Sequence, residues 1–261
     1  MANFKRVIRP IGMKSINISR KELRVKPKKV LVLPKIHVRT LDVEKLLKQK
    51  SHFRVSIFGS ARVQAGDKVY REVADLAEMI GAKGYDVITG GGPGLMEAAN
   101  AGHSKGDKKG RADSIGLVIQ LPWENSGNKY LEFQHRFHHF SKRLDTFLAM
   151  SDVMVVTKGG IGSLLELFYM WQHLQVGHVQ YKPIILIGEM WEQLIAWMKK
   201  EILPQNLVSP QDFDFIYIAK NAKEAMSMVN KFHELGQSER NLRKIECKGM
   251  RCVIPPKKTK N

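Results

Sequence analysis

Val153-Met154-Val155-Val156-Thr157-Lys158-Gly159-Gly160-Ile161-Gly162-Ser163-Leu164-Leu165-Glu166 is the stretch from which the rest of the chain is read. A β-branched apolar run ends in a glycine-dense turn and passes straight into an amphipathic segment rich in Leu, Met and Trp, the pattern of strand, tight loop and helix. Such a junction is an anion site by construction. Glycines let backbone amides approach an oxyanion, the first helical amides point at it, and the helix dipole favours negative charge there. Gly159, Gly160 and Gly162, with the Ser163 hydroxyl, are therefore expected to cradle a phosphate. Glu166 lies about one turn, ~6 Å, further along the axis and leans back toward the helix start as helical side chains do. A carboxylate is thus expected about a sugar's length from the anion.

Outward from this junction the chain alternates strands and helices. Arg54-Val55-Ser56-Ile57-Phe58-Gly59-Ser60 reads as a buried strand ending in Gly59-Ser60, where a nucleotide-binding α/β fold turns into its first helix. That helix is predicted over 67–82, with Val69, Val73, Leu76, Ala77 and Ile80 on one face. A strand at 85–89 leads into Gly90-Gly91-Gly92-Pro93-Gly94-Leu95-Met96-Glu97, a second glycine-rich junction with Pro93 near the expected helix start. Strands follow at 114–122, 182–188 and 215–218, and helices at 141–150, 191–202 and 222–235; residues 133–140 fit either a strand or an ordered lead into the helix after them. The whole implies an α/β fold: a Rossmann-like doubly wound parallel sheet flanked by helices, with ligands at the carboxyl ends of the strands. Both glycine loops fall at such ends. Their spacing fits neither G-x-G-x-x-G nor G-x-x-x-x-G-K-[ST], which argues against NAD and against an ATP-hydrolysing P-loop.

Charge divides the chain. Of 43 Lys/Arg and 25 Asp/Glu, residues 1–54 hold 16 and 3, residues 238–261 hold 8 and 2, and the segment between them is near neutral at 19 and 20. A basic extension at 1–53, a nucleotide-binding domain at 54–237 and a basic tail at 238–261 are expected, and any polyanion contact should belong to the two arms. Only Phe4 is aromatic within the first fifty residues, so the arms offer no base-stacking platform. Short apolar patches such as Val30-Leu31-Val32-Leu33 and a helix near 41–47 are expected within the first arm. Cys247 and Cys252 have no partners at metal-ligand spacing, and no apolar run approaches the ~18 residues of a membrane span. A reducing, cytoplasmic setting is expected. His135, His138 and His139 lack a paired carboxylate pattern, so no metal is expected.

Four motifs in order resemble the Lonely Guy family of nucleoside 5′-monophosphate phosphoribohydrolases, formerly labelled lysine decarboxylases. They are Gly90 to Met96, Leu121-Pro122-Trp123-Glu124 with Asn128, Ser141-Lys142-Arg143, and Gly159 to Ser163 with Glu166. The resemblance spans about residues 54–235. It implies cleavage of the N-glycosidic bond of a nucleotide such as AMP or a cytokinin riboside monophosphate, with no cofactor, by a protein that is usually a dimer. Glu166 would stabilise positive charge developing on the ribose and orient the attacking water, since breaking a C1′–N bond builds such charge. Arg143 matches the family's essential arginine and would hold the phosphate or ribose side. Gly59, Ser60, Gly91, Gly92 and Glu124 complete the expected substrate-binding set.

The sequence departs from the family pattern at three places. Thr157-Lys158 stand where the family has an apolar residue and proline, Leu144 replaces a lysine, and Ser163 replaces threonine. Lys158 is expected to return to the phosphate the positive charge lost at Leu144. Two function classes follow. The first is a nucleotide 5′-monophosphate nucleosidase centred on Glu166 and Arg143. The second is a module of the same fold that binds a nucleotide or phosphorylated cofactor as carrier or sensor.

Overall fold

The computed structural model describes residues 39–40, 42–43, 52–120 and 127–237. Within them eight strands form one sheet: β1 (Arg39–Thr40), β2 (Arg54–Phe58), β3 (Asp86–Thr89), β4 (Ser114–Ile119), β5 (Phe133–Phe137), β6 (Val153–Val156), β7 (Ile184–Ile187) and β8 (Ile216–Ala219). Their order across the sheet is β1-β5-β4-β3-β2-β6-β7-β8, and every neighbouring pair is parallel. Among the described residues six α-helices connect and cover them: α1 (Lys68–Lys83), α2 (Leu95–Gly106), α3 (Phe140–Met150), α4 (Ile161–Gln175), α5 (Glu189–Trp197) and α6 (Ala222–Gln237).

The strand sequences explain the two helical layers. A strand sends successive side chains to opposite faces, and a parallel sheet covered on both faces needs apolar residues at nearly every position. Met154 and Val156 of β6 and Ile184 and Leu186 of β7 pack into one core with α3, α4 and α5. Val153, Val155, Ile185 and Ile187 enter a second core with α1, α2 and α6. The uninterrupted apolar runs visible in the sequence are therefore two interleaved sets of core residues.

From β2 the chain steps outward through β3, β4 and β5, then returns to lay β6 against the other side of β2. The helix following β2 packs on one face and the helix following β6 on the other. The two connections diverge, and a crevice opens beyond the carboxyl ends of β2 and β6. The doubly wound sheet expected from the sequence is the observed one.

Two elements differ in detail from expectation. Residues 133–137 are a strand, paired along its length with β4, and α3 begins at Phe140. The helix expected over 191–202 is α-helical only to Trp197; a π turn over Met198–Ile202 and a 3-10 turn over Leu203–Gln205 follow it. Pro204 has no N–H to continue an α-helical ladder, which accounts for the change of winding near it. The apolar patch 30–33, most of the helix expected over 41–47 and both cysteines lie outside the described residues. No described helix is long and apolar enough to cross a membrane.

Candidate active site

Three turns are fastened together at the crevice. The Ser60 amide donates to the Lys158 carbonyl at 3.0 Å, and the Leu95 amide donates to the Ser60 carbonyl at 2.9 Å. The turn after β2 is thereby tied to the turn after β6 on one side and to the start of α2 on the other. Gly94 makes the second tie feasible: its φ is +70°, and a Cβ there would sit 2.4 Å from the Ser60 oxygen. Thr157 is buried, and its backbone N–H and its hydroxyl both donate to the Phe58 carbonyl, at 2.8 and 2.9 Å. The threonine that departs from the family pattern therefore laces β6 to β2.

A buried polar network holds the Gly90–Gly94 turn. The Asn128 amide nitrogen donates to the carbonyls of Gly91 (3.2 Å) and Gly92 (3.1 Å) and to Asn100 Oδ1 (2.9 Å). Asn100 in turn accepts from the Thr89 hydroxyl and donates to Ser114 Oγ. Each polar group so placed has a partner, which is what a buried position demands. Asn100 and Ser114 carry no local motif in the sequence that marks them for this role.

The turns surround a cleft of about 340 Å³. Gly59, Ser60, Gly92, Arg143, Gly160, Gly162, Ser163 and Glu166 line it, so most of the residues expected from the sequence converge. Three of the others stand back. Gly91 is buried beneath the turn, where its carbonyl accepts from Asn128, and Gly159 packs under Ser163. Lys158 is exposed, and its side chain is not part of the cleft wall. Glu124 lies outside the described residues. The cleft also recruits residues not expected: Arg62 from the turn after β2, and the apolar Met96, Val118, Ile119 and Ile161. Arg62 had a weak signal, being a cation two residues past a strand-ending Gly-Ser. Val118 and Ile119 had none, since they read only as strand core.

The amino end of α4 forms one wall. Among the described residues no side chain caps it, and Leu164 is the residue whose amide reaches back to the Gly160 carbonyl, at 3.0 Å. The amides of Ile161, Gly162 and Ser163 precede any in-helix acceptor, so the positive end of the helix is open toward the cleft. A Cβ at Gly160 or Gly162 would meet nothing within 4 Å, which leaves room for an oxyanion at that end.

Arg143 and Glu166, the latter one turn further along α4, form the buried part of the cleft wall. Arg143 Nη1 lies 3.4 Å from Glu166 Oε1, with side chains 7% and 12% exposed. Arg143 Nε donates to the Leu117 carbonyl at 2.6 Å, and the guanidinium stands over the Phe147 ring, 5.2 Å from its centroid. Burial pushes the Glu166 carboxyl up to about 7, against the opposing pull of the Arg143 charge. Burial also lowers the Arg143 pKa, but a guanidinium remains charged in any protein setting. The arrangement offers a fixed cation beside a carboxyl that exchanges its proton near neutrality, the range a general base requires.

Leu144 points the other way, into the core at 3% exposure, so this departure from the family pattern lies outside the cleft. His135, His138 and His139 do not gather into a ligand set. Among the described residues one group has metal-ligand spacing, His52, Asp86 and Asp113. It sits at the amino ends of the strands, away from the cleft, and Asp86 is already engaged by His52 at 2.9 Å and Arg54 at 3.5 Å.

A doubly wound parallel sheet, with an open helix amino end and a buried Arg–Glu pair lining one cleft at its switch point, defines a class of α/β protein suited to hold an anion near a carboxyl. A family model described as "Possible lysine decarboxylase" matches residues 96–229, half of the chain, and the chain belongs to this family, the Lonely Guy family. Among solved structures, a molybdenum cofactor binding protein from the phototrophic bacterium Rippkaea orientalis aligns over 70% of this chain and 99% of its own, at 19% identity and a TM-score of 0.54. A molybdenum cofactor carrier protein from Chlamydomonas reinhardtii aligns over 70% and 99%, at 16% identity and a TM-score of 0.51. At these identities the likeness is one of fold. No curated protein matches the chain.

Proposed function

We propose that the protein hydrolyses the N-glycosidic bond of a nucleoside 5′-monophosphate, AMP-like or a cytokinin riboside monophosphate, to free base and ribose 5-phosphate. The observation that carries this reading is the buried Arg143–Glu166 pair on the wall of the cleft into which α4 opens its amino end. The 5′-phosphate docks on the amides of Ile161, Gly162 and Ser163. The ribose then lies toward Glu166, one turn deeper, and the base toward the apolar wall of Met96, Val118 and Ile119.

As the C1′–N bond lengthens, the electron pair leaves with the base and positive charge grows on the ribose. The Glu166 carboxylate stabilises that charge and takes a proton from the water attacking C1′; the hydroxide bonds to C1′ as the C1′–N bond breaks, and the proton passes from Glu166 to the departing base nitrogen, which restores the carboxylate. Arg143 keeps Glu166 oriented and ionised at the moment of attack. No cofactor enters this scheme. Ile161, Leu165 and Phe168 leave 84%, 45% and 40% of their surfaces exposed along one side of α4, which supports a second copy packing there beside the cleft. The reading therefore includes a homodimer.

A second reading keeps the cleft and removes the chemistry: a carrier or sensor that holds a phosphorylated ligand. It is favoured by the two structural neighbours, which are a molybdenum cofactor binding protein and a molybdenum cofactor carrier protein. One assay separates the two. Wild type and Glu166→Gln are incubated with a panel of nucleoside monophosphates, and free base is measured. The hydrolase reading expects base from wild type alone; tight nucleotide binding without base from any nucleotide moves the conclusion to the carrier.

A further inference from the structure

We infer that Arg62, and not Lys158, is the cation that grips the ligand's phosphate across from the amino end of α4. This rests on the proposed docking of a phosphate at that helix end, and it concerns binding whether or not hydrolysis follows.

Charge in the cleft motivates it. Among the described residues the cleft wall contains two cations, Arg143 and Arg62, and one carboxylate, Glu166. Arg143 is committed to Glu166 and to the Leu117 carbonyl, so within the cleft it offsets the carboxylate and leaves little positive field for a dianion. Arg62 has no acidic partner among the described residues, and its side chain is exposed. A guanidinium with free donors presents a planar fork matched to phosphate oxygens.

Its position is also held. The Arg62 amide donates to Ser60 Oγ at 3.1 Å, its carbonyl accepts from Gln64 Nε2 at 3.2 Å, and the Gln64 amide donates to Asp67 Oδ2 at 3.0 Å. Ser60 is itself tied to both neighbouring turns. The backbone that carries Arg62 is thus fastened to the turn that leads into α4, and loop-ordering entropy on ligand binding is small. Lys158 contributes its carbonyl to this framework, while its side chain stays off the wall. A specificity consequence follows. Arg62 discriminates phosphorylated ligands from their dephosphorylated counterparts, because an exposed cation gains little from an uncharged hydroxyl.

The test is calorimetric titration of full-length wild type, Arg62→Ala, Arg62→Lys and Lys158→Ala with AMP, ribose 5-phosphate and adenosine, each at two salt concentrations. Arg62→Ala is expected to weaken AMP and ribose 5-phosphate about tenfold or more, the scale of one charge-assisted contact, and to change adenosine less than about twofold. Arg62→Lys should recover part of the loss, and Lys158→Ala should leave AMP within about twofold of wild type. Equal losses for AMP and adenosine, or a larger AMP loss in Lys158→Ala, overturn the inference. Wild type that binds neither AMP nor ribose 5-phosphate overturns it together with the proposed docking. AMP that binds without release of adenine overturns hydrolysis alone, and Arg62 is then decided by the same binding ratios.

Discussion

Gly90 and Arg143 share a space that any side chain at position 90 would close: a Cβ there would lie 2.3 Å from Arg143 Nη2 and 2.7 Å from Met96 Sδ. The guanidinium passes directly over the Gly90 backbone on its way to Glu166. Gly90→Ala is therefore expected to displace Arg143 and lower kcat/KM by about a hundredfold, the usual effect of an ångström-scale misplacement. Overpacking should also cost about 1–3 kcal/mol of stability. Base release measured beside a denaturation curve checks both, and full activity in a folded Gly90→Ala protein would show that Arg143 is not needed where it lies.

The pH dependence follows from Glu166. Its carboxyl is raised by burial from 4.5 to about 7 in the folded protein, so between those values the folded state holds a proton that the unfolded state has lost. The associated stability is complete below about pH 4.5 and disappears as pH rises through about 7, on the order of 3 kcal/mol in total. Activity should run the opposite way, because the water-activating form is the carboxylate: kcat/KM is expected to rise through about pH 7. Urea melts of wild type and Glu166→Gln at pH 5 and pH 8 test the first statement, since the variant should lose this part of the pH dependence. A rate profile falling through neutrality would assign Glu166 the role of acid instead.

Two glycines in one turn should behave oppositely. A Cβ at Gly159 would sit 2.1 Å from Ser163 Oγ, whereas one at Gly162 would meet nothing. Gly159→Ala is expected to lower the melting temperature. Gly162→Ala, in the first turn of α4, should hold or raise stability by up to ~1 kcal/mol through helix propensity. It should nevertheless weaken AMP binding severalfold, because the methyl group occupies the space reserved for the anion. If Gly162→Ala binds AMP as wild type does, the phosphate does not sit at this helix end.

Asn128 supports the other glycine turn from a distance in sequence. Replacing it with Ala leaves the Gly92 carbonyl and Asn100 Oδ1 short of a donor. The expected loss is about 1–3 kcal/mol, read as a lower denaturation midpoint at unchanged m-value. Ligand affinity should fall as well, since Gly92 lines the cleft. An unchanged midpoint would mean that water replaces the amide without cost.

What the sequence by itself determined was local and periodic. The apolar runs of β2, β6 and β7, the glycine turns beside them and the amphipathic helices each declare themselves within a dozen residues, because strand alternation, turn chemistry and helix starts are short-range physics. Glu166 belongs to this set, since three residues of helix relate it to Ser163. Arg143 was legible only through resemblance, as nothing near it in the chain distinguishes it from Lys142. The tertiary structure alone decided the rest. It set Arg62 on the cleft wall and left Lys158 off it, turned Leu144 into the core, and made Gly90 a passage for a guanidinium. It also raised the Glu166 carboxyl by burying it beside Arg143. Each of these depends on groups far apart in sequence meeting at the carboxyl ends of β2, β3, β4 and β6. Burial, charge pairing and close approach are properties of that meeting, and a single segment does not carry them.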